Sequence, residues 1–324
     1  MLDPALCAAV DRLPPATRRT AAYHFGWREV DGQPGERVGG KALRPTLCLL
    51  TAAAAGADPA AALPAAVAVE LVHNFSLLHD DIMDGDVRRR HRPTAWTVFG
   101  LGPAILAGDA LLTAAFETLT ASGHGRAEAS VRELSATVLA LVDGQSLDLE
   151  FEDRAEVGIA ECRRMTEAKT GALLGCACAL GALFADARPA QIEHVRAFGE
   201  RLGMAFQLID DILGIWGDPE VTGKPVYSDL SNRKKSLPVV AALGSDTAAG
   251  AELAQLYRHS EPLSQGELVH AAGLIEGSGA RRWSEAQADE QLARALEHLH
   301  RAGLDAAAVD ELTALAELVT TRDS

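Results

Sequence analysis

Apolar residues along the chain recur at three- and four-residue intervals far more often than they alternate. Six long segments carry that period: Ala65 to Met83, Ala104 to Leu119, Ala127 to Asp148, Ile159 to Leu183, Ala190 to Trp216 and Glu285 to His300. Such spacing gathers apolar side chains on one side of an α-helix, so each segment is predicted helical. Breakers fall between them at Gly56-Ala57-Asp58-Pro59, at Gly123 to Gly125 and at Gly217-Asp218-Pro219, where glycine and proline interrupt a helix. Alternating strand-like runs bounded by turn dipeptides are essentially missing. No fixed-period repeat and no low-complexity linker divides the chain; the Ala52 to Ala55 patch is helix-forming sequence. The prediction is one all-α domain over residues 1–324, with about a dozen helices. Several are apolar on more than one face, as the central layer of a large bundle requires.

Composition changes this picture little. Of 324 residues, 48% are hydrophobic and 23% charged, an ordinary globular balance in a chain long enough to bury a core without disulfide staples. Cys7, Cys48, Cys162, Cys176 and Cys178 have no paired metal spacing and read as small core residues in a reducing, cytoplasmic setting. The start, Met1-Leu2-Asp3-Pro4, lacks a basic segment followed by an apolar run, so no secretory signal is expected. The uncharged stretch Thr170 to Ala185 falls short of the roughly 20 residues that a membrane span needs, so no span is expected either.

Charge matters more. Forty-five acidic against 30 basic residues give a net charge of −15, which repels nucleic acid and anionic membranes. An anionic ligand would need metal ions and a local basic cluster to overcome that field. The sequence contains candidates for both.

The segment His79-Asp80-Asp81-Ile82-Met83-Asp84 closes a long apolar helix that includes Glu70, His73 and Phe75. Asp80 and Asp84 are one helical turn apart on one face, at the end where the helix dipole is already negative. Helix stability does not favour two bare carboxylates there, whereas Mg²⁺ readily joins one or two carboxylates to substrate phosphates. The alternative is a solvated acidic helix end. A second pair, Asp210-Asp211, closes another apolar helix, with Gln207 three residues earlier on the face of Asp210. Isolated charges are costly in a core, which makes two such pairs a rare coincidence; facing each other across a cavity, they could hold a metal cluster on a diphosphate. Basic groups accompany them: Gly39-Gly40-Lys41-Ala42-Leu43-Arg44-Pro45, Arg88-Arg89-Arg90-His91-Arg92-Pro93-Thr94, Lys169-Thr170, and Lys224, Arg233, Lys234 and Lys235. Arginine forks and lysine point charges both suit phosphate oxygens.

In this order these pieces, with Gly223-Lys224-Pro225, resemble the trans-isoprenyl diphosphate synthases (polyprenyl synthetases). The likeness covers nearly the whole chain and is clearest from Gly39 to Leu243. The resemblance implies an isoprenoid synthase-type helical bundle around a central cavity, acting as a homodimer. It implies three Mg²⁺ ions, two at Asp80 and Asp84 and one at Asp210, with Asp81 and Asp211 in the same acidic sets. Arg89, Lys169, Gln207, Lys224 and Lys234 would hold an allylic diphosphate, with Thr170 nearby. Lys41, Arg44, His73 and Arg90 would hold isopentenyl diphosphate. Catalytic weight would fall on Asp80, Asp84, Lys169, Lys224 and Asp210. By the same resemblance Phe75, five residues before the first motif, with Ser76 and Val72, sets a short product; C20 geranylgeranyl diphosphate is preferred to C15 farnesyl diphosphate.

One departure stands out. The family usually repeats D-D-x-x-D at the second site, but here the i+4 carboxylate is replaced by Gly214. Asp218 is expected beyond the helix end and unable to replace it. Restoring Asp at 214 is then expected to alter metal affinity only modestly. Alternatives are a farnesyl or longer-chain synthase, a terpene cyclase on the same fold, and a non-catalytic paralogue or scaffold subunit. Lys41, Arg44 and Arg90 argue against a cyclase, which needs no second diphosphate site.

Overall fold

The computed structural model describes residues 1–35, 42–218, 226–258 and 261–321. Lys41 and Lys224, both expected at the site, lie outside the described residues, as do Gly39-Gly40 and Gly223. The fold is all-α. In order come α1 (Leu2–Asp11), α2 (Pro15–His24), α3 (Leu43–Ala54), α4 (Leu63–Met83), α5 (Ala95–Phe99), α6 (Leu101–Thr120), α7 (Ala127–Asp153) and α8 (Ile159–Thr166). There follow α9 (Ala172–Phe184), α10 (Pro189–Trp216), α11 (Ser228–Ser231), α12 (Leu237–Leu243), α13 (Ala248–Arg258), α14 (Gln265–Gly277), α15 (Ala280–Arg301) and α16 (Ala306–Thr320).

Two details depart from the periodicity. Between α8 and α9 a π-turn, Glu167–Gly171, interrupts what reads in sequence as one helix. Such an insertion re-aims the residues on it, and these include Lys169 and Thr170. The second is a hairpin of two-residue strands, β1 (Arg88–Arg89) and β2 (Arg92–Pro93), with Arg89 opposite Arg92. Its turn residues Arg90 and His91 have φ of 50° and 64°. A two-residue turn with both φ positive usually takes Asn-Gly, and left-handed backbone costs other residues about 1–2 kcal/mol each.

The contacts fall into two compact units, neither continuous in sequence. One comprises Met1–Val138, Cys176–Arg196 and Arg301–Leu312; the other comprises Leu139–Gly175, Ala197–His300 and Thr313–Ser324. In the first, α4 is buried on almost every face, including Leu71, Val72 and Phe75. It begins with proline in its first turn. It ends in a Schellman motif, in which Gly85 (φ 67°) donates to Ile82 and Asp86 donates to Asp81. In the second unit, Met165, Met204, Leu208, Leu237 and Val240 form one core cluster. Ile215 and Leu230 belong to another.

Pro59–Met83 and Ile159–Phe184 are long and apolar enough to cross a membrane by length and composition. The uncharged stretch Thr170 to Ala185, too short for a span on its own, overlaps most of the second. Burial of 67% and 78% of these windows within the protein marks them as core helices.

Candidate functional site

In the first unit the Schellman end of α4 fixes the acidic motif. The Asp84 N–H donates to the Asp80 carbonyl at 2.8 Å, which places the two residues one turn apart. Asp80 is half-buried and Asp84 exposed. Asp81 points the other way: it is buried, and Arg89 Nε donates to its Oδ1 at 2.6 Å, while Oδ2 has no hydrogen-bond partner. Burial, partly countered by Arg89, lifts the Asp81 carboxyl to about 6. Asp81 is therefore not grouped with Asp80 and Asp84, because its place in the helix turns it toward the hairpin arginine.

Beside this motif lies a pocket of about 380 Å³ lined by Tyr23, His24, Asp81, Arg89, Arg90 and Arg92 among others. The hairpin that carries Arg89 and Arg90 is pinned from several sides. Tyr23 donates to the Pro93 carbonyl at 2.9 Å, Arg92 pairs with Glu29 at 3.1 Å, and Trp96 and Thr94 both donate to the Asp86 carbonyl at 2.8 Å. These anchors hold the left-handed turn in place, and strain held by surrounding structure is common at functional sites. Arg44 joins the cationic set through Nη1, 3.3 Å from His73 Nε2. Arginine can only donate, so that histidine nitrogen carries a lone pair. Arg44 Nε is buried and unpartnered.

The electrostatics follow from this crowding. Burial, then Arg44, Arg90 and Arg89, drives the His73 pKa well below its ordinary range. Burial, then Arg89 and Arg90, lowers His24 to about 3, despite a hydrogen bond with Asn74 that raises it. Two neutral histidines thus lie among arginines, with Glu70 as a counter-charge to Arg44 and Arg90. A multiply charged oxyanion is the ligand that completes such a set. His24 and Tyr23 were missed in the sequence because they sit on α2, outside any motif. The folded protein refuses a proton at His24 that the unfolded chain accepts between pH 6.5 and about 3. Stability is accordingly expected to fall as pH drops through that window, by up to about 1.4 kcal/mol per pH unit for one such group. Denaturation at pH 7.5, 6.5 and 5.5 should show a steeper loss for wild type than for His24→Gln; equal slopes would contradict the assignment.

In the second unit the π-turn and α10 meet at glycines. A Cβ on Gly203 would lie 2.7 Å from the Cα of Gly171, so the close approach requires residue 203 to lack a side chain. Here Thr170 Oγ1 donates to Gln207 Oε1 at 2.9 Å, Gln207 Nε2 donates to Asp211 Oδ1 at 2.8 Å, and the Leu237 N–H donates to Asp211 Oδ2 at 3.0 Å. Lys169 Nζ pairs with Asp148 Oδ2 at 2.6 Å. Asp148, Lys169, Thr170, Gln207, Asp211 and Lys234 line a pocket of about 320 Å³.

Asp211 spends both oxygens on the scaffold, one on Gln207 and one on the first turn of α12. Like Asp81, it lines its pocket while hydrogen-bonded to the protein's own groups. Burial, partly relieved by Lys234, raises its pKa to about 7. The three consecutive cations also separate. Arg233 donates to the carbonyls of Tyr257 and Glu261, and Lys235 donates to those of Phe151 and Arg154, capping α7. Lys234 is the one that lines the pocket. Burial opposes its charge, but Asp229, Asp211, Asp148 and Asp210 together hold its pKa above the usual lysine range.

Gly214 corrects the expectation about its replacement. A Cβ there would lie 2.5 Å from Asp229 Oδ2, 2.6 Å from Cγ and 2.8 Å from Oδ1. The space is already taken by another carboxylate, so an aspartate at 214 must displace Asp229 rather than fill a gap.

Among the described residues no three His, Cys, Asp or Glu side chains converge as a metal cage. The donors at the end of α4 are carboxylate oxygens, one half-buried and one exposed. That set fits Mg²⁺, which keeps several waters and takes the rest of its ligands from phosphate.

The polyprenyl synthetase family model matches residues 36–275. The chain is 44% identical over 327 aligned residues to a (2E,6E)-farnesyl diphosphate synthase of Mycobacterium bovis, covering 100% of this chain and 91% of that one. It is 43% identical over 321 residues to a geranylgeranyl diphosphate synthase of Mycobacterium tuberculosis, covering 99% and 91%. The crystal structure of a polyprenyl synthetase from Streptomyces coelicolor superposes with a TM-score of 0.95 at 46% identity, covering 99% and 96%. With the family model matched over most of the chain and full-length relatives above 40% identity, the protein belongs to the polyprenyl synthetase family and is a trans-prenyltransferase.

Proposed function

We propose that the chain condenses isopentenyl diphosphate with an allylic diphosphate in a Mg²⁺-dependent reaction that gives a short all-trans prenyl diphosphate. The observation that supports this reading is the first-unit cationic cluster: a pocket lined by His24, Arg89, Arg90 and Arg92, with His73 and Arg44 hydrogen-bonded to each other in the same unit and both histidines held neutral by burial and the arginines. Arg44, His73 and Arg90, with Lys41, bind the diphosphate of isopentenyl diphosphate, and His24 extends that set. Asp80 and Asp84, with Asp210, hold three Mg²⁺ ions. The metal supplies charge neutralisation to the leaving diphosphate. Lys169, Gln207, Lys224, Lys234 and Arg89 hold the allylic diphosphate and add to the electrostatic stabilisation of its departure. Holding both substrates in line for attack lowers the barrier further. A homodimer in the cytoplasm completes the reading; five cysteines, none of them in a disulfide, suit a reducing compartment.

The preferred product is C20 geranylgeranyl diphosphate. Relatives named for C15 and for C20 products match this chain almost equally well, so the support for length comes from α4. Val72, Phe75 and Ser76 are all buried, and the Phe75 ring meets His79 edge-on at 4.9 Å. Phe75 is therefore a wedged ring suited to stopping a growing tail. Phe75→Ala is expected to shift products beyond C20, checked by chromatography after dephosphorylation. An unchanged product length would remove Phe75 from that role.

The activity itself is tested with labelled isopentenyl diphosphate, Mg²⁺ and, in turn, dimethylallyl, geranyl and farnesyl diphosphate. Incorporation that requires Mg²⁺ and stops at C20 supports the reading, and a stop at C15 corrects only the length. No incorporation by folded protein would bring the cyclase and scaffold alternatives forward.

A further inference from the structure

Asp229 belongs to no aspartate pair, yet its carboxylate lies where the second acidic motif lacks one. Position 214 follows Asp210 by one helical turn and shares its face, the place where the third carboxylate of a D-D-x-x-D motif would begin. The Asp229 carboxylate occupies that space, at the distances given above. Its backbone is held independently of its side chain. The Asp229 carbonyl accepts the Lys234 N–H at 2.8 Å, Ser228 Oγ lies 3.4 Å from the Gly214 carbonyl, and the next residue, Leu230, is fully buried beside Ile215. Asp229 itself is 9% exposed, an unusual setting for a carboxylate.

We infer that Asp229, seated against Gly214, supplies from α11 the carboxylate that α10 lacks, and positions the Lys234 ammonium for the diphosphate. The inference deepens the prenyl-transfer reading and rests on it. Glycine at 214 is on this account the complement of Asp229 and not a lost catalytic group. Asp229 is a positioning residue: its carbonyl holds the Lys234 backbone, and its charge, with those of Asp211, Asp148 and Asp210, favours the ammonium form of Lys234. The two features form a unit, since either a side chain at 214 or the loss of the carboxylate at 229 breaks it.

The test uses the full-length protein as Asp229→Ala, Gly214→Ala and the exchange Gly214→Asp/Asp229→Ala. Gly214→Ala removes no charge and favours the helix, so it keeps the experiment decisive if Asp229→Ala folds poorly. Measured are kcat, KM for each substrate, and the thermal shift produced by Mg²⁺ with inorganic diphosphate. Both single variants are expected to lose kcat by about 10²-fold, the usual effect of disturbing one positioned electrostatic group. The KM for isopentenyl diphosphate should stay within about threefold, because Arg44 and His73 bind it. The thermal shift should shrink in both. The exchange should recover kcat to within about tenfold of wild type, since it moves the carboxylate from loop to helix. Retention of wild-type kcat by both single variants, or an exchange variant no better than the worse single, would overturn the inference. If wild type makes no prenyl product, the functional reading fails. The thermal shift then still decides: loss in Asp229→Ala upholds the role of Asp229, and an unchanged shift refutes it.

Discussion

Replacing Asp80 by alanine is expected to leave the fold intact while lowering kcat/KM by on the order of 10³-fold. Asp80 is only half-buried, at the last turn of α4, and Asp84 is exposed one turn beyond. A carboxylate there opposes the helix dipole, so its removal should change stability by no more than about 1 kcal/mol, and in the favourable direction. On the proposed function it contributes oxygen ligands for a divalent cation. The Mg²⁺ concentration needed for half-maximal rate should rise along with the loss of rate. Urea denaturation and a Mg²⁺ titration of turnover separate the two effects. A destabilised Asp80→Ala that keeps its activity would contradict this assignment.

Asp211→Ala is expected to do the reverse, lowering stability by about 3 kcal/mol. The Asp211 carboxylate accepts from Gln207 and from the Leu237 N–H, and it is one of the charges that keep buried Lys234 ionised. Alanine leaves one buried and one partly buried donor unpaired and removes a counter-charge, and the remaining partner of a broken buried pair bears the cost. Asp210→Ala, one residue away, should cost activity and little stability. The contrast is measured by urea denaturation of both variants, and equal stability of the two would refute the division of labour.

In each acidic motif one aspartate, Asp81 or Asp211, is hydrogen-bonded into the protein, and this was not legible in the sequence. Helical period placed α4 and α10 within a few residues of their observed ends, because long amphipathic segments dominate a helical chain. The identity of the acidic motifs came from residue order. Which aspartate of each pair turns inward did not, because that depends on Arg89 across a hairpin and on the first turn of α12. The hairpin itself has no Asn-Gly signature; its turn residues are Arg90 and His91. The π-turn at Glu167–Gly171 leaves the apolar rhythm intact and is invisible to it. His24 and Asp229 carry no motif, so their places emerge only when helices pack. Gly214, read as a deficit in one dimension, is in three dimensions the space that Asp229 occupies.

On the proposed function, Asp80 and Asp210 both serve one Mg²⁺-dependent prenyl transfer. A double-mutant cycle tests it most directly: kcat for wild type, Asp80→Asn, Asp210→Asn and the double variant, at saturating substrates. Groups that act as a unit are strongly non-additive. The double variant is expected to be about as slow as the slower single variant. A double variant slowed by the full product of the two single effects would mean that the aspartates act independently, and would contradict the account.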